Sequence, residues 1–227
     1  MQAKKNGFLK SSLGNKYLMA ITGVLLYGFV MTHLLGNLLV FAGRDAINTY
    51  GQGLANLPFG LLWLLRFGLL LVFVIHVRTA FCLNQRNRSA RPVGYARFQN
   101  LQLSFASRYM IHTGIVILAF IAFHICHYTF AIVPGTNVNV DALGRKDIYQ
   151  MVLDGFQQPV VSITYVVAMI ALGVHLQHGL KSLFQSLGLH HKMLNGFLKC
   201  FAPLLGWMVA GGNIFIVIAI WFGLIGV

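Results

Sequence analysis

The chain is 227 residues long, 57% hydrophobic and 9% charged, with 17 Lys and Arg against four acids. A soluble domain carries about 25% charged residues, so a water-soluble globule is excluded and a bilayer is the fitting solvent. The net charge of +13 is gathered in short segments between long apolar runs, a pattern set by membrane topology rather than by a nucleic-acid-binding face.

Crossing a hydrocarbon core takes about 20 apolar residues, and five runs reach that length: residues 17–41, 57–83, 109–133, 159–184 and 201–225. The sequence therefore predicts a single all-α membrane domain over residues 1–227, with five transmembrane helices. The first run follows Lys4, Lys5, Lys10 and Lys16, as a signal peptide would. It is too long for one and lacks a small-residue cleavage site, so it is expected to stay as the first helix. Cys82, Cys126 and Cys200 have no paired spacing, so neither a disulfide framework nor a zinc site follows from them. Cys126-His127 lacks the second cysteine of a C-x-x-C-H motif, so any haem here would be held without thioether links.

The connections alternate in charge. The N-terminal tail holds four basic residues, the second connection and its flanks six (Arg78, Arg86, Arg88, Arg91, Arg97, Arg108) and the fourth three (Lys181, Lys192, Lys199). The first and third hold Arg44, Arg145 and Lys146 together with all four acids, Asp45, Asp141, Asp147 and Asp154. Cytoplasmic loops carry the basic excess, so the N-terminus is expected in the cytoplasm and the C-terminus outside.

Six histidines fall well within the apolar runs: His33, His76, His124, His127, His175 and His178. An ionisable side chain at that depth costs several kcal/mol unless paired, and marks function more often than packing. Each of the first four helices carries one in its second half. Helices I and III run outward, which sets His33 and His124 near the outer face. Helices II and IV run inward, which sets His76 and His175 near the inner face. Two ligands at each of two levels, about 10–20 Å apart at ~1.5 Å per residue, suit bis-histidine ligation of two stacked haems in a four-helix bundle. Zinc asks for three or four ligands at one point, and the bundle offers no Glu and no intramembrane Asp. Gly23, Gly28, Gly36, Gly114 and Gly173 lie where a porphyrin would approach the backbone, or where helices pack closely. Arg66, inside the outer end of helix II, is placed to meet a propionate or a quinone carbonyl, or to snorkel. Arg108 and Lys181 are similarly placed at the inner end.

Three stretches carry a family resemblance. Thr22-Gly23 followed by His33-Leu34-Leu35-Gly36-Asn37-Leu38 is similar to the opening helix of the succinate dehydrogenase/fumarate reductase cytochrome b subunit. Arg108 through His112-Thr113-Gly114 to Phe123-His124, and His175-Leu-Gln-His178-Gly179 to Leu187-Gly188-Leu189, resemble its third and fourth helices. Their order and spacing match the single-subunit, five-helix, dihaem class over nearly the whole chain. That resemblance implies a distal haem b on His33 and His124 and a proximal haem b on His76 and His175. It prefers His124 to His127 and His175 to His178, leaving the second of each for propionates or polar backbone nearer the surface. It further implies a flavoprotein and an iron–sulfur subunit docked on the cytoplasmic face of a bacterial inner membrane, with menaquinone as electron partner. Some fumarate reductases of this class carry a glutamate two residues before the helix IV ligand; here Gly173 stands there. Two alternatives stay open: the cytochrome b subunit of a hydrogenase, formate dehydrogenase or nitrate reductase, and a cofactor-free transporter using histidine relays.

Overall fold

The computed structural model describes residues 11–90, 105–188 and 192–226. Among the described residues eight α-helices follow one another: α1 (Ser12–Asn37), α2 (Arg44–Ala55), α3 (Leu61–Ser89), α4 (Phe105–Arg108), α5 (Met110–His124), α6 (Ile148–Gln157), α7 (Pro159–Ser186) and α8 (Lys192–Trp221). Among the described residues the strand-like pairing amounts to one bridge, Val140 to Lys146. Five helices are long and apolar enough to span a membrane: α1 with its 3₁₀ extension to Ala42, α3, α5 with its continuation to Thr129, α7 and α8. The chain is an all-α, multi-pass membrane protein.

The spanning helices are arranged by pairs. α3 lies along α1, and α5 lies along α7; α1 meets α7 and joins the two pairs. α8 runs against α7 as its most extensive neighbour. Small residues allow that approach: a Cβ on Gly206 would lie 3.0 Å from the backbone nitrogen of Gln177, and one on Gly173 would lie 2.8 Å from the Trp207 ring. The Trp207 indole donates to the Gln177 side-chain oxygen at 3.1 Å, which satisfies two polar groups where water is scarce.

α2, α6 and the loop before α6 form a cap over one end of the bundle. Its centre is Asn48, fully buried, whose amide donates to Asp141 (3.1 Å) and Asp147 (3.1 Å) while its oxygen accepts from Tyr149 N (3.1 Å). Arg145 ties the cap together, bonding Asp141 at 2.7 Å, Asp45 at 2.9 Å and Thr49 at 2.7 Å. Beneath it lies the largest apolar cluster, built from Leu34, Val40, Ile47, Leu153, Phe156, Val161, Tyr165, Ile216, Val217 and Ile220.

The structure departs from the expected boundaries in informative places. The first and third connections contain helices, α2 and α6, which are amphipathic and lie against the cap rather than in the apolar span. Helix III leaves α-geometry at His124 and continues as one π-turn, Ile125–Thr129, closed by Phe130 N to Ile125 O at 2.9 Å. Ala131, at φ 52, ends it before residue 133. α8 starts at Lys192 rather than 201, because its polar first turns precede the apolar run that hydropathy detects. Arg91, Arg97, Leu189 and the lysines before residue 11 lie outside the described residues.

Candidate haem-ligand site

His33 and His124 meet between α1 and α5, with ring centroids 5.8 Å apart and planes at 84°. Two imidazoles sharing one metal atom, with bonds of about 2 Å each, would have centroids roughly 6 Å apart. The spacing therefore fits one metal atom between the rings. His33 also stacks on Phe29, at 5.5 Å and 15°.

His76 and His175 are held differently, and alike. The Thr22 hydroxyl lies 3.0 Å from His76 Nδ1, and the Thr113 hydroxyl 3.2 Å from His175 Nδ1. A hydroxyl has one hydrogen to give. Thr22 directs its hydrogen to the helix carbonyls of Leu18 (2.8 Å) and Met19 (3.2 Å), and Thr113 to Tyr109 (3.1 Å) and Met110 (3.0 Å). With those hydrogens on the helix carbonyls, each threonine oxygen is open to accept from Nδ1–H, the tautomer that leaves Nε2 as a bare lone pair. That is the state in which histidine ligates a metal while a partner on the other nitrogen orients it.

These contacts also set the depth of each pair. Thr22 precedes His33 by eleven positions and Thr113 precedes His124 by eleven, within the same Thr-Gly-x₉-His pattern. His76 is level with Thr22 and His175 with Thr113, so both lie about 16 Å from the His33/His124 level at ~1.5 Å per residue. His76 is close enough to His175 for their charges to interact. Four histidines from four helices thus form two pairs at two depths, and among the described residues no three His, Cys, Asp or Glu gather around one point.

The glycines divide by role. A Cβ on Gly23 would lie 3.8 Å from His76 Cε1, and one on Gly114 3.6 Å from His175 Cε1, so both glycines sit beside the histidine rings. Gly36 packs beneath Tyr50, and Gly173 beneath Trp207, which is close packing. Nothing lies within 4 Å of a Cβ on Gly28.

The remaining candidates are dispersed. His127, expected nearer the surface, is fully enclosed, with Nδ1 3.0 Å from the Tyr165 hydroxyl and Nε2 lacking a hydrogen-bond partner. His178 bonds the Ser182 hydroxyl at 2.9 Å. Arg66 lies over the Trp63 ring, 4.9 Å from its centroid, and is exposed. Arg108 and Lys181 are exposed at the opposite end. Lys146, which motif reading passed over, joins Arg66 at the capped end: desolvation, then the Arg66 charge, holds its ammonium below the usual range. Tyr165 was also passed over, since a single tyrosine in an apolar run carries no pattern. Comparison with family models, with curated proteins and with solved structures returned no match.

Proposed function

We propose that this chain is the dihaem cytochrome b membrane anchor of a succinate:quinone oxidoreductase, exchanging electrons between an iron–sulfur subunit and membrane menaquinone. One observation carries the proposal: four spanning helices each contribute one histidine, and these form two pairs about 16 Å apart along the helices. At the level of His76 and His175 a threonine hydroxyl meets each ring at Nδ1, which leaves Nε2 as the nitrogen open to a metal. At the other level the ring spacing of 5.8 Å admits one metal atom. Haem held there by His33 with His124 and by His76 with His175 would supply reversible one-electron transfer, and a ligand set of two histidines favours electron transfer over oxygen chemistry.

The chain's own part is to hold, orient and keep dry. His33 and His124 lie under the cap, and His76 and His175 lie toward the end that carries Arg78, Arg86, Arg88, Arg108 and Lys181. By the charge rule for membrane proteins that basic end faces the cytoplasm. There it offers a cationic surface for the flavoprotein and iron–sulfur subunits, in a bacterial inner membrane. The capped end, which also carries Arg66 and Lys146, would then be outside, and quinone chemistry is assigned to that end.

The test is a reduced-minus-oxidised spectrum of membranes containing the chain, together with haem content per chain in His33→Ala, His76→Ala, His124→Ala and His175→Ala. Two haems per chain are expected, with the His33 and His124 variants losing one and the His76 and His175 variants losing the other. Absence of a b-type α-band from the unaltered protein would remove the proposal.

A further inference from the structure

Behind His124 lies a polar cluster that ligation by itself does not use. Tyr165 of α7 places its hydroxyl 2.9 Å from His124 Nδ1 and 3.0 Å from His127 Nδ1. Its single hydrogen serves one ring, so its oxygen must accept from the other. No water competes for that choice. Tyr165 is 6% exposed and His127 0%. Phe120 and Phe156 box in the tyrosine ring at 4.8 and 4.9 Å, while Tyr128 lies 4.0 Å from the His127 ring. Gly155 closes the far side: a Cβ there would meet His127 Cε1 at 3.0 Å and the Tyr128 hydroxyl at 2.8 Å.

His124 decides the direction of the chain. With its Nε2 given to a metal, its proton resides on Nδ1 and is donated to Tyr165. Tyr165 then passes its own hydrogen to His127 Nδ1, and His127 keeps its proton on Nε2, the enclosed nitrogen that lacks a partner. An unsatisfied buried donor costs about 1–3 kcal/mol, and such exceptions in native structures ask for a reason. The reason here is the acceptor strength of the phenol oxygen. Hydrogen bonds in series polarise one another, so a tyrosine that donates to an imidazole accepts more strongly from His124. A stronger acceptor at Nδ1 makes the ligand more basic. Thr22 and Thr113 give their hydrogens to helix carbonyls that already sit in the helix ladder, so the two levels are tuned by different groups.

We infer that Tyr165, backed by His127, is a positioning residue for His124 that sets the redox potential of the distal level apart from the proximal one. The inference rests on the haem reading above. It goes beyond that reading by giving His127 a role behind the ligand rather than at a propionate.

The experiment is a spectroscopic redox titration of both haems in membranes containing the intact complex, with the low-spin ferric EPR signal as a second readout. The distal couple is identified as the one lost in His33→Ala. Tyr165→Phe is expected to keep two haems, raise the distal midpoint, alter one EPR signal and leave the proximal couple unmoved. His127→Leu removes the acceptor for the tyrosine hydrogen and is expected to shift the same couple the same way. His127→Gln, whose side-chain oxygen restores an acceptor, is expected to return it toward the original value. Unchanged potentials in Tyr165→Phe, equal displacement of both couples, or identical behaviour of His127→Leu and His127→Gln would each overturn the inference. Should Tyr165→Phe lose the distal haem, the His127 pair decides by the same criterion. Absence of haem from the unaltered protein would instead sink the underlying proposal before any variant is compared.

Discussion

Thr22 and Thr113 give their hydroxyl hydrogens to their own helices, and so leave only an acceptor for His76 and His175. Replacing both with valine keeps the β-branched shape and removes that acceptor. Loss of an orienting partner typically weakens metal affinity about 10–100-fold. On the proposed function, the double variant Thr22→Val, Thr113→Val is thus expected to retain the distal haem and lose much of the proximal one on purification, with serine at both positions restoring it. The haem-to-protein ratio and the difference spectrum read both. Histidine depth was legible in the sequence, because membrane topology alone assigns it. The partners of those histidines were not, since they lie 54 and 62 positions away on other helices, far beyond any local period. Tyr165 gave no signal at all: its importance comes from His124 and His127 reaching the same hydroxyl from one helix, across a π-turn that propensity does not announce.

At the scale of elements, the cap and the α7–α8 seam show how apolar and polar contacts divide the work of holding the bundle. Within the cap, burial pushes the Asp141 carboxyl up, but the backbone N–H of Arg145, the Asn48 amide, the Arg145 guanidinium and the Leu143 N–H together hold it at about 2. Its pKa in the folded chain is therefore below the ordinary value of 3.8. Such a depressed carboxylate stabilises the cap fully above about pH 4 and loses that contribution as pH falls toward 2. Proteolysis of the loop over residues 134–147 is expected to be slow at pH 5 and to accelerate below pH 4, whereas Arg145→Met is expected to be cut rapidly at pH 5 already. Along the seam, Gly206 leaves no room for a side chain beside Gln177. Gly206→Leu overpacks it at a cost of about 1–3 kcal/mol, which predicts a lower thermal midpoint in detergent with the ring-to-ring contact of His33 and His124 left in place. Five spans were legible as runs of apolar residues. α2 and α6 were not, because their signal is one-sided and their length is below that of a span. The seam was half legible: Gly173 could be placed as a packing residue or a haem-side residue, and only Trp207 lying over it decides.

For the whole molecule, the two levels lie about 16 Å apart, roughly half of a hydrocarbon core of about 30 Å. On the proposed function, electrons moving between them cross part of the transmembrane voltage, worth about 2.3 kcal/mol per charge per 100 mV for a full crossing. The chain contains no glutamate, and Gly173 stands where some relatives of the resembled class carry one for proton movement. On the proposed function, charge transfer would then lack that glutamate route, and succinate:menaquinone turnover in sealed vesicles is expected to change when an uncoupler collapses the voltage; an unchanged rate would show that charge crosses in a balanced way. The repeated Thr-Gly-x₉-His pattern has a further consequence for assembly. α1 and α3 form one half of the bundle, α5 and α7 the other, and each half owns one histidine of each pair. Neither half can complete a histidine pair alone. Whatever binds at either level must bind both halves at once, so its affinity and their association are one equilibrium seen from two sides. On the proposed function, loading either haem would fasten the halves together, and a half that drifted away would surrender both rather than keep one.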